Sequence, residues 1–148
     1  MKNMPMFSKI STERKLTCDP KLILVLDELI KQMDFIILCG TRTKAEQEDA
    51  FLRGATKVHY PDSKHNSLPS KAVDIAPYYT EAPHVRWPDR KQRPGTYDKE
   101  LAAFYILATA FNITAGFLGV HIRSGFDWNS NWDIFDQNFD DLPHHELK

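Results

Sequence analysis

The sequence predicts an α+β fold in which helices pack on a small, mostly antiparallel sheet. Two kinds of segment support this prediction: stretches whose apolar residues recur every three or four positions, and short apolar runs that end at glycine or proline. The two kinds do not alternate regularly along the chain, which is typical of α+β domains. A length of 148 residues suits one domain with a single core.

Three helices are predicted. The first begins at Asp19-Pro20, a favourable N-cap followed by a favourable first residue, and its apolar face contains Leu22, Leu26, Leu29, Ile30 and Met33. The second begins with the capping-box pattern of Thr43 and Glu46 and extends to about residue 53. The third covers residues 98–111, where apolar residues again recur at helical spacing.

Short apolar runs predict four strands, at residues 35–39, 72–76, 117–122 and 144–147. Residues 80–97 show no periodicity and mix prolines with arginines, so they are predicted to form a long loop. Loops of this length inside a domain are usually functional or mobile. An ordinary solvated connection and a substrate-facing wall are both compatible with its composition.

Composition excludes several classes of protein. The net charge of −1 gives no basic field for binding nucleic acid or acidic membranes. Continuous apolar runs, such as residues 22–26, are far shorter than a membrane span, so no stable membrane insertion is expected. The first residues lack the apolar core of a signal peptide, so we expect synthesis in a cytoplasm without an export signal.

The two cysteines, Cys18 and Cys39, are too few for a disulfide framework or a cysteine-based zinc site. Cys39 ends an apolar run and is predicted to be a small buried hydrophobic residue. The whole chain, 1–148, is predicted to be one domain and a monomer.

The candidate site residues come from two distant segments. Asp74 interrupts an apolar strand, and a carboxylate in such a place is rarely buried without a partner. A metal ion and an ion pair with Arg42 or Lys71 are the two alternatives. His65 lies in a polar loop, where a single histidine is more often a surface residue than a ligand.

Near the C-terminus, His144 and His145 are adjacent on a predicted strand, so their side chains point to opposite faces. Only one of them can face the same ion as His65. Asp141 precedes His144 by three residues and is a candidate general base, with Asp140 as the competitor. Two imidazoles and two carboxylates suffice for a three-ligand zinc site with an open fourth position and a base beside it, which predicts a small zinc hydrolase.

Four blocks of sequence carry a family resemblance. They are Gly40-Thr41-Arg42-Thr43 with Gln47, Ser63-x-His65 with residues 72–77, residues 123–128, and residues 141–147. In this order they resemble the zinc peptidases of bacterial cell walls, which belong to the lysostaphin/D-Ala-D-Ala/hedgehog metallopeptidase group. The phage L-alanyl-D-glutamate endopeptidases, which are endolysins, are the most similar branch.

The resemblance implies roles for seven residues. The zinc ligands would be His65, Asp74 and His144, with Asp141 as the general base. Arg42 would polarise the scissile carbonyl or hold a substrate carboxylate, since its planar fork matches carboxylate oxygens. Gln47 and Ser63 would contact the substrate or support the ligands. Two further candidates for substrate contacts come from their positions in the sequence alone: His121, near the end of a predicted strand, and Trp128, in an aromatic loop.

The implied substrate is the stem peptide of peptidoglycan, cut at the L-Ala-D-Glu bond with Zn²⁺ as the cofactor. Residues 1–148 would form a single zinc peptidase catalytic domain without a separate wall-binding module. No nucleic-acid partner is implied. The enzyme would act on the cell wall after release through a holin-type pore. Two rivals remain: a D,D-carboxypeptidase that removes terminal D-Ala, and a non-catalytic, zinc-stabilised wall-binding or virion module.

Overall fold

The computed structural model describes residues 3–148, which form four α-helices and four β-strands. In chain order these are α1 (Lys9–Lys15), α2 (Pro20–Leu29), β1 (Phe35–Cys39), α3 (Lys44–Leu52), β2 (Ala72–Pro77), α4 (Tyr97–Phe117), β3 (Ile122–Gly125) and β4 (Asp141–Leu147). A short 3₁₀ helix, Lys64–Asn66, lies between α3 and β2.

The four strands form one antiparallel sheet in the order β1-β2-β4-β3. Strand β4 is the last in the chain but lies inside the sheet, between β2 and β3. Its pairing with β2 sets Asp74 directly opposite His144. Four helices with a four-stranded antiparallel sheet confirm the predicted α+β class.

The core lies between helices α2 and α4 and the sheet. Helix α2 contributes one buried face, and α4 packs against α2 and against three of the strands. The largest contributions come from Leu22, Leu26, Leu29, Ile37, Ile75, Leu107 and Phe111, each no more than 1% exposed. Burial of each such side chain stabilises the fold by roughly 1.5–3 kcal/mol, so this layer holds the sheet in place.

Helix α4 is long and apolar for a core helix. Its 21 residues have a mean hydropathy of 1.3 over an 18-residue window, enough in length and composition to cross a membrane. In the structure one side of the helix is buried, whereas Ile106, Ile113 and Phe117 are exposed. Core helices pass the same test, so length and composition alone do not make α4 a membrane span.

The predicted helix starts are confirmed by their caps. The Asp19 carboxylate accepts a hydrogen bond from the Lys21 backbone N–H at 2.9 Å, and Pro20 is the first residue of α2. At α3, Thr43 and Glu46 form the complete capping box, with each side chain bonded to the other's backbone N–H. Side-chain oxygens at these positions satisfy helix N–H groups that have no partner within the helix.

Several elements differ from the prediction, among them β4, which begins at Asp141 rather than at His144. The strand predicted at 117–122 is wrong: α4 continues to Phe117, and β3 covers Ile122–Gly125. The stretch that extends α4 contains β-branched residues, which favour strands, but Ala115 within it packs in the core and the helix continues. Gly119, at φ +69°, follows the end of the helix. Helix α1 is missing from the prediction because its seven residues show no apolar period, and the buried one, Ser11, is polar.

Phe111→Ala should lower the free energy of unfolding by about 3–5 kcal/mol, because it empties a fully buried position of α4. The matched control is Phe117→Ala on the same helix, where the ring is 89% exposed and the change should stay within about 0.5 kcal/mol. Urea titrations followed by circular dichroism measure both values. Equal losses in the two variants would contradict the packing described for α4.

Candidate metal centre

The side chains of His65, Asp74 and His144 meet on one face of the sheet. Nε2 of His65 is 3.1 Å from Oδ1 of Asp74 and 3.3 Å from Nδ1 of His144. Nδ1 of His144 is 3.1 Å from the same Asp74 oxygen. The three donor atoms therefore form a nearly equilateral triangle, called the donor triangle below.

The donor triangle has the dimensions that a small tetrahedral ion requires. With bonds of about 2.0–2.1 Å, a tetrahedral ion holds its donor atoms about 3.3–3.4 Å apart. The observed separations of 3.1–3.3 Å need little adjustment to reach that value. Two imidazole nitrogens and a carboxylate oxygen are also ligands that zinc accepts, so these residues fit a zinc ion.

His65 is oriented by its own short helix and by the end of β1. Ser63 caps the 3₁₀ helix and accepts a hydrogen bond from the His65 backbone N–H at 3.2 Å. The imidazole Nδ1 lies 2.7 Å from the Gly40 carbonyl oxygen, an acceptor, so a neutral His65 carries its proton there. Nε2 then presents a lone pair to the donor triangle, which is the usual orientation of a ligating histidine.

The two adjacent histidines of β4 point to opposite faces, as predicted. His144 faces Asp74, whereas His145 is fully buried in the core, where its ring stacks on Phe111 with centroids 4.3 Å apart. Its Nδ1 is 2.6 Å from the Ser124 hydroxyl. Burial first, and then the charge of His144, lower the pKa of His145 to about 3, so it stays neutral.

Glu146 supports His144 from the side away from the donor triangle. Its Oε2 is 2.9 Å from Nε2 of His144, and its Oε1 accepts a hydrogen bond from Nε of Arg123 at 2.9 Å. A carboxylate on the second nitrogen of a ligating histidine fixes the ring and increases its basicity. The sequence analysis includes Glu146 only as part of a motif. Residues two apart on a strand lie on the same face, so the spacing of Glu146 from His144 could have predicted this contact.

Asp74 uses its two oxygens differently. Oδ2 is 3.3 Å from Nη2 of Arg42, whereas Oδ1 faces the two imidazoles. The predicted alternatives, an ion pair with Arg42 and a place in a metal site, therefore concern separate oxygens of one carboxylate. Arg42 in turn donates from Nη1 to Oε1 of Gln47 at 3.1 Å.

Electrostatics at the donor triangle favour a cation. Burial opposes charge on all three groups, but their mutual interactions outweigh it. The charge of Asp74 and its hydrogen bond raise the pKa of His65 to about 10, and the hydrogen bonds that His144 donates to Asp74 and Glu146 raise the pKa of His144 to about 9. The same contacts hold the pKa of Asp74 far below its usual range. A bound metal ion would replace these protons.

The donor triangle opens into a cavity of about 640 Å³. Asp140 and Asp141 both line it. Asp141, the first residue of β4, is half-buried, and burial first, then the charge of Asp74, raises the pKa of its carboxyl. Asp140 is exposed, and its Oδ1 accepts a hydrogen bond from Gln137 at 2.6 Å.

Opposite Asp141 in the sheet lies Gly125. A Cβ atom there would lie 2.7 Å from the Asp141 Cβ and closer still to its backbone oxygen. Only glycine therefore permits this approach of β3 to the start of β4.

The remaining predicted residues occupy different places. Trp128 lines the cavity and packs beside His144 with ring centroids 5.7 Å apart. Ser63 lines it too, although its hydroxyl is bonded to the 3₁₀ helix. Gln47 is fully buried behind Arg42, a place that suits a support for Arg42 rather than a direct substrate contact. His121 precedes β3 and lines a separate, smaller cavity.

Cys39 lies closer to the site than the sequence indicated. Its Sγ is 3.8 Å from Nδ1 of His65, and Cys39, His65 and Asp74 offer donor atoms within 4.8 Å of one another. The thiol is half-buried rather than part of the core. It lies on the Nδ1 side of His65, which the Gly40 carbonyl oxygen already occupies, so the donor triangle with His144 is the better-formed set.

Comparison with known proteins identifies the family. A family model described as phage L-alanyl-D-glutamate peptidase matches residues 4–148. The chain belongs to this family. It is 29% identical over 133 residues to the L-alanyl-D-glutamate peptidase of Escherichia phage T5, covering 88% of this chain and 87% of that protein.

A solved structure has the same fold as this member of the phage L-alanyl-D-glutamate peptidase family. It is the Serratia marcescens L-Ala D-Glu endopeptidase ChiX, with a TM-score of 0.68 and 22% sequence identity. The match covers 96% of this chain and 89% of that one. At this identity the likeness establishes the architecture alone.

Substitution distinguishes the two donor sets. His144→Ala should weaken zinc binding by more than roughly 100-fold, beyond the loss typical of residues that only orient a ligand. Cys39→Ser should leave the affinity nearly unchanged, as should His59→Ala, a change at an exposed histidine bonded to Glu48. Competition with a chromophoric chelator measures each dissociation constant. A large loss in Cys39→Ser with none in His144→Ala would place the ion on the cysteine side.

Proposed function

We propose that this protein is a zinc-dependent endopeptidase that hydrolyses the L-Ala-D-Glu bond in the stem peptide of bacterial peptidoglycan. The observation that carries the proposal is the donor triangle of His65, Asp74 and His144, which opens into a large cavity in a chain of this family. The named activity of the T5 relative supplies the bond. Action on the cell wall follows from this substrate.

Zinc would be held by Nε2 of His65, Oδ1 of Asp74 and Nδ1 of His144. When bound, the metal acidifies water and polarises a carbonyl group. The chain itself contributes the orientation of the ligands: Gly40 fixes His65, Glu146 fixes His144, and Arg42 holds the second oxygen of Asp74.

Asp141 is the proposed general base. It lies in the cavity three residues before His144, and its carboxylate has no hydrogen-bond donor among residues 3–148. In the proposed reaction it takes a proton from the attacking water and passes that proton to the leaving amine. Its raised pKa suits this exchange, because the carboxyl can both accept and release a proton.

Arg42 is proposed to assist at the scissile carbonyl. Its guanidinium is mostly buried, lines the cavity and is anchored by Asp74 and Gln47. A fixed cation beside a carbonyl oxygen stabilises the negative charge that develops there. Trp128, on the same cavity, is proposed to pack against the substrate.

Digestion of purified peptidoglycan sacculi tests the bond and the metal together. The purified protein should release stem peptides with a new N-terminal D-glutamate, and a chelator should abolish the release until zinc is restored. Mass spectrometry of the products identifies the cut. Release of free D-alanine instead would support the carboxypeptidase, and zinc binding without any product would support the non-catalytic module.

Asp141→Asn should reduce turnover by at least about 100-fold, because the amide cannot accept the proton. Zinc affinity should remain nearly that of the wild type, since Asp141 is not a proposed ligand. Asp140→Asn is the matched control, with the same chemical change on the same cavity, and should retain most activity. Loss of activity in Asp140→Asn alone would transfer the role of base to that residue.

A further inference from the structure

A cation lies on the cavity wall outside the donor triangle. Lys57, in the segment between α3 and the 3₁₀ helix, is exposed and lines the cavity that contains His65 and His144. Its Nζ is 4.5 Å from the centre of the Phe139 ring, which belongs to the segment before β4 and also lines the cavity. This contact connects two separate segments of the wall and holds the ammonium group at the cavity.

Lys57 is available to pair with a substrate carboxylate, whereas the two arginines on this cavity already have carboxylate partners. Arg42 already pairs with Asp74, and Arg123 pairs with Glu146. Among residues 3–148, Lys57 takes part in no ion pair, and its contact with Phe139 leaves the ammonium donors unused. A cation over an exposed aromatic ring gains only about 0.5–1 kcal/mol, so a carboxylate can add to this contact or replace it.

The backbone beside Lys57 is fixed relative to the donor triangle. The carbonyl oxygen of Val58 accepts a hydrogen bond from Nε2 of Gln47 at 2.7 Å. Gln47 accepts from Arg42 at 3.1 Å, and Arg42 lies 3.3 Å from Asp74. A chain of three polar contacts therefore connects the backbone beside Lys57 to a proposed metal ligand, and the Lys57 side chain extends into the cavity from this anchored backbone.

The proposed substrate contains a group that such a cation would bind. A glutamyl residue has two carboxyl groups, and continuation of the peptide uses at most one of them, so at least one stays free beside the L-Ala-D-Glu bond. Resting on the proposed function, we propose that Lys57 is a specificity-determining residue that binds the free carboxylate of the substrate's D-glutamyl residue. The enzyme would then prefer this acid over its amide.

Lys64 is the rival cation on the same cavity. It belongs to the 3₁₀ helix that positions His65, whereas Lys57 lies outside that helix. The ammonium group of Lys57 contacts another segment of the wall, at the Phe139 ring. These observations favour Lys57, and the experiment below separates the two.

Two synthetic peptides that differ only at the free D-glutamyl carboxyl, acid in one and primary amide in the other, test the proposal. Wild-type enzyme should cut the acid with kcat/KM higher by roughly 10- to 100-fold, the range expected for one hydrogen bond between charged groups. Lys57→Met should lose this preference by losing activity on the acid while keeping activity on the amide. Lys99→Met, at an exposed lysine of α4 away from the cavity, should keep the wild-type ratio.

Inhibition by the product gives a readout apart from turnover. A peptide that begins with the free D-glutamate should inhibit the wild type more strongly than its amide does, and Lys57→Met should remove that difference. An unchanged acid-to-amide ratio in Lys57→Met, an equal loss on both peptides, or loss of the ratio only in Lys64→Met would overturn the proposal, as would a wild type without acid preference. If the wild type cuts neither peptide nor sacculi, the proposed function itself fails.

Discussion

The register between β2 and β4 is the constraint on which the rest of the site depends. It sets Asp74 opposite His144, and directly opposed residues in an antiparallel pair have their Cβ atoms about 4.5–5.5 Å apart. A slip of one residue would turn His144 into the core and His145 toward the cavity. The stacking of His145 on Phe111 and its bond to Ser124 oppose such a slip. Core packing on one face therefore determines the geometry of the donor triangle on the other.

Much of the site could be predicted because its chemistry conflicts with its surroundings. A carboxylate inside an apolar strand, Asp74, needs a partner, and two adjacent histidines on one strand must face opposite sides. Other features depend on contacts between distant segments. The Gly40 carbonyl oxygen reaches His65 only because the end of β1 lies beside the 3₁₀ helix. Nothing local in the sequence indicates that contact.

The errors in the prediction also come from contacts between distant segments, which local sequence does not reveal. Local preferences favoured a strand at 117–122, but packing against α2 and the sheet carries α4 to Phe117. The shift places His121 before β3 and on a different cavity. The motif correctly associates Gln47 with Arg42. Whether Gln47 faces the substrate cavity or the interior depends on which side of α3 is buried, and the weakly apolar sequence of α3 does not specify that side.

Strand β4 comes last among the eight helices and strands, yet it lies in the interior of the sheet. A polypeptide growing on the ribosome therefore carries His65 and Asp74 well before it carries His144, and until then β2 has an open edge. Pairing of β4 with β2 and β3 completes the sheet and brings the third donor to the other two. An unfinished chain has at most two of those donors, so competence to attack a wall arises only with the finished fold.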